Sequence, residues 1–322
     1  MAYGRTRASE DTTRRRLAAA SSAAAIALLF IAVAIAAAGC GLGPGEGVGD
    51  VELTVTRDYG AVTLTERELG DVNESDTVMR VLEASADVST RYGGGFVQAI
   101  DGIEAQERFG RSRDWFFYVN GVESTVGAAE YPLLGGEAIW WDYRDWDTAM
   151  RVPAVVGSWP QPFLDGYAGQ RKPVAVECLG GGGVCAEVRE RLQGEGATVA
   201  QGTPEGAIRV LVGPWGRVRT DPAAAQIEGG PRSSGVFADF DSGPDGERLL
   251  GLDEGGGPGR TFGPSAGLVA AVRRLDSPPV WVVSGTSVAG VEAAAGLLDR
   301  GSLRHHYAVA VEGGEEEPLP LR

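Results

Sequence analysis

Lysine is almost absent from this chain of 322 residues: only Lys172 accompanies the arginines among its 29 basic residues. The 44 acidic residues outnumber them and give a formal net charge of −15 at pH 7. Because binding to nucleic-acid phosphates needs clustered basic residues, this balance argues against a nucleic-acid partner. Hydrophobic residues make up 43% of the chain, which is enough for folded cores and excludes a disordered protein.

Histidine is equally scarce, and the two residues of this type, His305 and His306, are adjacent. Side chains of adjacent residues on a strand point to opposite faces, so the pair cannot easily hold one metal ion. No cysteine or acidic cluster stands beside them in the sequence. We therefore expect neither a metal site nor a catalytic cofactor.

Charge is missing from the N-terminal run Leu17–Cys40, which follows a basic segment. A basic segment followed by an apolar one is typical of an export signal. Residues 37–40, "AAGC", resemble a bacterial lipobox, which predicts a signal peptide at residues 1–40 and a lipid on Cys40. The alternative is a single uncleaved transmembrane helix, since ~20 apolar residues span a bilayer. Both place the remaining chain on the extracytoplasmic face of the cell membrane.

The other two cysteines, Cys178 and Cys185, lie close together in "VECLGGGGVCAEV". An even pair of cysteines in an oxidising compartment predicts a disulfide. The four glycines between them let the chain fold back tightly. The alternative is a pair of reduced structural thiols.

A first domain is predicted at residues 51–152, after a Gly-rich tether at residues 41–50. Its segments "VELTVTR" and "AVTLTERE" alternate apolar and polar residues, which predicts a hairpin. "SDTVMRVLEASADV" has apolar residues at helical spacing, and "DWFFYVNG" and "EAIWWDYR" are typical of strands. Two strands, a helix and two more strands predict an α+β domain of the β-grasp kind.

A second domain is predicted at residues 174–312, after a Pro-rich linker at residues 153–173. Apolar strands such as "VWVVSGTS" alternate there with helical patterns such as "CAEVRERLQGEG" and "SAGLVAAVRRL". This order predicts a three-layer α/β domain. Residues 313–322 form an acidic tail that we expect to be solvated.

Aromatic residues concentrate between Arg113 and Trp146. Because side chains alternate across a strand, the rings of the two strands in this segment occupy both faces of the predicted sheet. One helix covers only one of these faces. The other face is either buried by the second domain or exposed to a ligand or partner, since large exposed apolar patches are typical of interaction sites.

The W-x-x-Y-V-N-G motif at Trp115–Gly121 is followed by Tyr131 and Leu133 and by W-x-Y at Trp141–Tyr143. With these marks, residues 51–150 resemble the transcobalamin-like C-terminal domain family, bacterial domains related to the β domain of vitamin B12 carriers. In the carriers the β domain closes over a corrinoid together with a helical barrel. The resemblance allows a bound corrinoid here, although this chain has no room for the barrel. It implies ligand-binding roles for Trp115, Tyr118, Asn120, Trp141 and Tyr143.

Two motifs resemble enzyme sites but have simpler explanations. "GPSAG" fits the G-x-S-x-G pattern of hydrolases, but a loop-like sequence precedes it where an apolar strand is needed, so Ser265 is expected to cap a helix. "SGTSVAG" follows an apolar strand, as phosphate-binding turns do, but lacks the lysine of a P-loop. Ser287 is therefore also expected to be a helix cap.

These features together predict a membrane-anchored extracytoplasmic lipoprotein with a non-catalytic binding or accessory role, such as uptake of a small, vitamin-like molecule. The expected partners are a small-molecule ligand or an envelope protein such as a membrane transporter. The alternative is an extracytoplasmic hydrolase or phosphate-ligand enzyme that uses the second domain.

Overall fold

The computed structural model describes residues 46–108, 111–180, 182–243 and 246–322. The signal peptide predicted at residues 1–40, with Cys40, lies outside these residues. Within the described part, no helix is both long enough and apolar enough to cross a bilayer. The tether predicted at residues 41–50 overlaps the first strand, which begins at Gly47.

The elements follow one another in an order dominated by strands. The strands are β1 (Gly47–Arg57), β2 (Val62–Asn73), β3 (Val88–Arg91), β4 (Phe96–Ile100), β5 (Ile103–Glu104), β6 (Gln106–Arg108), β7 (Arg111–Val119), β8 (Val122–Glu123), β9 (Ala138–Asp145), β10 (Val174–Cys178), β11 (Ile208–Pro214), β12 (Ala238–Gly243), β13 (Gly246–Leu252), β14 (Pro258–Thr261), β15 (Gly267–Val272), β16 (Val280–Gly285), β17 (Ala308–Glu312) and β18 (Glu315–Leu319). The helices are α1 (Val78–Glu83), α2 (Val184–Gly194), α3 (Trp215–Val218), α4 (Pro231–Ser234), α5 (Val288–Gly296) and α6 (Arg300–Leu303), with 3₁₀ turns at Tyr92–Gly94 and Ala224–Gly229.

The first sheet has the order β2-β1-β9-β7-β6, with β8 paired to β7. The alternating residues of β1 and β2 form the antiparallel hairpin that the sequence predicts. β1 also pairs in parallel with β9, with Val55 opposite Trp141. One face of this sheet packs against α1 and against β4 of a small sheet, β3-β4-β5, in a shared core.

The second large sheet has the order β10-β11-β16-β15-β17-β18. Its first three strands are parallel and the others antiparallel. Helices α2 and α5 pack on one face, where Val210 and Val283 contribute to the core. The other face, with Leu211 and Val282, packs against a sheet of β12, β13 and β14 and against the first sheet.

This architecture corrects the predicted fold class. Strands make up 42% of the chain and helices 17%, in four sheets, so the protein is neither a β-grasp-like domain nor a three-layer α/β domain. Helix α1 has only six residues. The segment "SAGLVAAVRRL", predicted as a helix, forms strand β15, which is buried between β16 and β17. A short continuous apolar run fits a buried strand as well as a buried helix, and pairing with two neighbours decides for the strand.

The segment at residues 153–173, predicted as a linker, belongs to the packed interior. Trp159 and Phe163 are buried, and both rings contact Trp281, at centroid distances of 5.7 and 4.9 Å. The acidic end of the chain forms β18, which pairs with β17; Leu319 is buried there, while Glu315 and Glu316 are exposed to solvent. Residues 46–322 accordingly form one compact unit.

Candidate functional site

The five residues predicted to bind a ligand are all buried: Trp115, Tyr118, Asn120, Trp141 and Tyr143. Three of them lie on the face that packs against α1, and Tyr118 lies on the opposite face. Among the described residues, no exposed aromatic face of the kind considered in the sequence analysis is found, because the second half of the chain covers it. The ligand-binding role of these residues stays a prediction, and their burial gives it no support.

Asp142, on strand β9, has a fully buried carboxyl group. Its Oδ1 accepts hydrogen bonds from Oγ1 of Thr56 at 2.6 Å and from the backbone N–H of Gly60 at 3.1 Å. Its Oδ2 accepts one from the hydroxyl of Tyr307 at 3.0 Å. Burial raises the pKa of Asp142, and these hydrogen bonds oppose the shift without reversing it.

Arg144, two residues along the same strand, is also fully buried. Its guanidinium donates to the carbonyl oxygens of Asp145, Ala149 and Met150 at 3.1, 2.7 and 3.2 Å and lies over the ring of Phe116 at 3.7 Å. Because protein atoms already surround the buried carboxyl and guanidinium groups, they have no room for a ligand. We interpret them as a structural connection between the two halves of the chain.

The two enzyme-like motifs lie in turns next to β15 and α5. Ser265 lies in an exposed turn before strand β15, so a strand follows it where a nucleophile elbow has a helix. The cap predicted at Ser265 is therefore wrong, because the helix is absent. Ser287 is the N-cap of α5 and accepts a hydrogen bond from the backbone N–H of Gly290. A Cβ at Gly290 would lie 2.1 Å from the carbonyl oxygen of Ala266, so close packing explains this glycine.

The two histidines are half-buried. His305 lies with Nδ1 3.3 Å from Oγ1 of Thr63 and Nε2 3.4 Å from a carboxylate oxygen of Glu66. Burial, assisted by the nearby Arg304, lowers the pKa of His305 to about 4, and burial also lowers the pKa of His306. Across the described residues, no group of three His, Cys, Asp or Glu side chains is arranged to hold a metal ion.

The disulfide between Cys178 and Cys185 is confirmed. It joins the end of β10 to the first turn of α2, with the two Cα atoms 5.9 Å apart. The bond fixes the start of the helix against β10, the edge strand of the second sheet. Strand β15 belongs to the same sheet.

A cleft of about 220 Å³ opens where the end of β7, the loop after β8, the segment at residues 166–169 and the end of β15 come together. We call it the Arg273 cleft. Apolar atoms dominate its lining. The residues that form most of its wall are Val119, Val122, Val126, Tyr131, Tyr167 and Arg273.

A tight turn places Tyr167 in the wall of the cleft. Tyr167 and Gln170 exchange backbone hydrogen bonds of 3.1 and 3.2 Å, and the residues between them, Ala168 and Gly169, have φ angles of 51° and 69°. Two positive φ angles are typical of a type I′ turn, which a non-glycine residue adopts at a cost of about 1–2 kcal/mol. Backbone strain of this kind often accompanies ligand sites.

Asn120, which directly follows β7, holds this segment in place. Asn120 donates a hydrogen bond of 2.9 Å from Nδ2 to the carbonyl oxygen of Gly166 and accepts one of 2.8 Å from the backbone N–H of Ala138. The hydroxyl of Tyr131 donates to Oε1 of Glu137 at 3.1 Å. Burial and this carboxylate raise the pKa of Tyr131, so the hydroxyl keeps its proton. Asn120, one of the predicted site residues, therefore positions the wall of the cleft.

Arg273 directly follows β15 and is only 8% exposed. Its Nε donates to the carbonyl oxygen of Ser277 at 2.8 Å, and its guanidinium carbon lies 5.3 Å from the centroid of the Tyr167 ring. Among the described residues, its terminal nitrogens have no hydrogen-bond acceptor and no carboxylate partner. These nitrogens are not among the buried side-chain atoms that lack a partner, so they face the open clefts that Arg273 lines.

The other charged group of the cleft is already neutralised. Glu123 lines the same cleft, but its carboxylate forms an ion pair of 3.0 Å with Nε of Arg151. Arg273 therefore supplies an uncompensated positive charge in an apolar cleft of a protein whose net charge is strongly negative.

Sequence reasoning missed the two central residues of this cleft. Arg273 lies at the end of a run predicted as a helix, and Tyr167 lies in a segment predicted as a linker. The sequence contains one weak signal for Arg273, which is that this arginine directly follows a continuous apolar run. The structure shows that the chain is still buried at this position.

Residues 75–145, less than half of the chain, match a family described as a domain of unknown function, DUF4430. No curated protein matches the chain. Among solved structures, a protein from Ruminococcus gnavus that is described as a proposed metal-binding protein is 18% identical. The match covers 30% of this chain and 97% of that one, with a TM-score of 0.24, and carries no argument for function.

Proposed function

We propose that the protein is a non-catalytic binding protein of the cell envelope and that it holds a small molecule in the Arg273 cleft. The observation that carries this proposal is a mainly apolar cleft lined by the guanidinium of Arg273, whose terminal nitrogens have no acceptor among the described residues. Ligand sites are typically concave and mainly apolar, with a few polar groups that fix the ligand's orientation. The residues that line this cleft come from segments far apart in the sequence. Such a construction is typical of binding sites between packed subdomains.

The size of the cleft restricts the ligand. Its volume of about 220 Å³ is below the ~300–1,000 Å³ typical of sites for drug-sized ligands. A corrinoid is larger than such ligands, so the proposal does not include one. The resemblance of residues 51–150 to transcobalamin-like domains supports a binding role over catalysis, by analogy alone.

The hydrolase alternative receives no support from the arrangement around Ser265. Among the described residues, this serine forms no hydrogen bond to either histidine, and strand β15 follows it where a nucleophile elbow has a helix. We therefore propose no enzymatic activity.

The proposal includes attachment to the membrane through a lipid on Cys40, with delivery of the ligand to a membrane transporter as the associated role. Its support is the charge-free run that ends in "AAGC". Replacing Cys40 with Ala should release the protein or leave an unprocessed precursor in cell fractionation. A variant that fractionates and migrates like the parent would show that a transmembrane helix is the anchor.

Ligand-observed NMR on the full-length protein tests the binding function, with a mixture of acidic, basic and neutral fragments the size of a single ring. We compare the protein with a Thr125→Trp variant, which fills the mouth of the cleft, and with Ala129→Trp on the same loop, which lies outside the cleft. We expect fragments to bind the protein and Ala129→Trp but not Thr125→Trp. Absence of binding, or equal binding to Thr125→Trp, would overturn the proposal.

A further inference from the structure

We infer that the ligand of the Arg273 cleft is a small monocarboxylate whose apolar body lies against Tyr167 and the valine wall. The inference rests on the proposed binding function and deepens it. A carboxylate offers two oxygens to the parallel N–H donors of a guanidinium, and such bidentate pairs are stronger than neutral hydrogen bonds. The terminal nitrogens of Arg273 are the donors that have no acceptor among the described residues of the cleft.

The charges around the cleft favour a single negative charge on the ligand. Arg273 has no ion-pair partner among the described residues, and Glu123 is a carboxylate in the lining of the same cleft. Arg151 balances Glu123 from a position that is 62% exposed. A dianion such as phosphate would meet one buried cation and a nearby carboxylate, whereas a monoanion leaves the site neutral.

A second, open cleft of about 440 Å³ lies on the other side of Arg273 and offers a route of approach for an anion. Arg151 and Arg232 line it together with Arg273, and Asp147 is the acidic residue among its lining. Arg232 is exposed, and it has no ion-pair partner among the described residues. Clustered charges of one sign raise the local concentration of counter-ions, so these arginines attract anions. The rest of the protein repels anions, because its net charge is negative.

The remaining wall fits an apolar body of limited size. Two cations lie near the Tyr167 ring, with the guanidinium carbon of Arg273 at 5.3 Å and Nζ of Lys172 at 5.6 Å from its centroid. Val119 and Val122 are buried beside it. The cleft holds the equivalent of about seven water volumes, which corresponds to a single ring or a short branched chain attached to the carboxylate.

Isothermal titration calorimetry on the full-length protein tests this inference with benzoate, its neutral isostere benzamide, and inorganic phosphate as probes. We expect benzoate to bind about tenfold more tightly than benzamide, the difference typical of a charge-assisted pair, and phosphate to bind more weakly than benzoate. Equal affinity for benzoate and benzamide, or a preference for phosphate, would overturn the inference. Fragment binding that Thr125→Trp abolishes would then still support the proposed binding function.

Arg273→Gln should remove the preference for benzoate over benzamide, whereas Arg274→Gln, at the exposed neighbouring position, should preserve it. Retention of the preference in Arg273→Gln contradicts the inference. A second variant leaves the arginine in place, in case its loss unfolds the protein. Glu123→Gln removes the like charge and should tighten benzoate binding several-fold without changing benzamide binding, because Arg151 then adds its charge to the site. Unchanged benzoate affinity in this variant also counts against the inference.

Discussion

The hydroxyl of Tyr307 lies 3.0 Å from Oδ2 of Asp142, although 165 residues separate the two in the sequence. Both side chains are buried; Asp142 lies on β9 of the first sheet, and Tyr307 directly precedes β17 of the second. This hydrogen bond, with those from Thr56 and Gly60, satisfies a carboxyl group at the contact between the sheets. The stability of the two halves is therefore coupled through one acidic residue.

Tyr307→Phe should lower the free energy of unfolding by about 1–3 kcal/mol, because the carboxyl group stays buried and loses one donor. Chemical denaturation of the full-length protein measures the change. Tyr92→Phe is the matched control, since Tyr92 is 88% exposed, and it should leave the stability unchanged. Equal stability of the two variants would contradict a structural role for the Tyr307 hydroxyl.

The pH dependence of stability should differ between the protein and Asp142→Asn. Burial raises the folded-state pKa of Asp142, so its contribution to stability is fully present below its unfolded pKa and is lost as pH rises through the folded value. Asp142→Asn has no carboxyl group at this position and therefore does not lose stability in this way as the pH rises. We expect its deficit in Tm relative to the parent to shrink between pH 4 and pH 8, and a deficit that grows with pH would refute the direction of the shift.

His305 should make the protein sensitive to acid. Its pKa falls from about 6.5 in the unfolded chain to about 4 in the folded protein, so its stabilising contribution is present above pH 6.5 and is lost as pH falls toward 4. His305→Asn retains a residue that tolerates the positive φ of 61° at this position. The Tm of this variant should decline less steeply over that pH range, as thermal denaturation would show. Parallel curves would exclude His305 as a source of the acid sensitivity.

Trp141→Ala and Tyr118→Ala should each destabilise the full-length protein by about 3–5 kcal/mol, the cost typical of truncating a buried aromatic ring. Tyr92→Ala, at an exposed position, should change the stability by less than about 0.5 kcal/mol. Denaturant titrations measure all three. Near-native stability of the two core variants would restore the hypothesis that these rings form a binding surface.

The disulfide can be counted directly in a full-length Cys40→Ser variant. Thiol labelling of the unreduced, denatured protein should find no free cysteine, and reduction should release two. Because the loop between Cys178 and Cys185 is short, loss of the bond should cost less than the ~3 kcal/mol of a 15-residue loop. Two labels before reduction would show that the bond does not form.

Local patterns in the sequence correctly predicted those structural elements whose pairing partners are close to them in the sequence. The alternation in residues 51–68 predicted the β1–β2 hairpin, and the apolar spacing after Ser287 predicted helix α5. The spacing of Cys178 and Cys185 predicted their bond. In each case the pattern and its partner lie within a few tens of residues, where sequence periodicity is informative.

Long-range pairing was not predictable in this way. Nothing local indicates that β1 pairs in parallel with β9 or that "SAGLVAAVRRL" lies between two strands as β15. The candidate site depends on the same kind of contact: Tyr167 and Arg273 meet only after both sheets have formed. The aromatic segment itself was located correctly, but its exposure depended on the second half of the chain, which covers it.

The hydrogen bonds around Asp142 have a consequence for the order of folding. They join it to partners 82, 86 and 165 residues away, so the topology at this point is of high contact order. Such contacts form slowly, because the entropy of closing long loops precedes the energetic gain. During synthesis the first sheet emerges long before Tyr307, with Asp142 and the ring of Tyr118 still uncovered. A fragment that ends before Tyr307 should therefore be prone to aggregation, and the chain should reach its native state only as a whole.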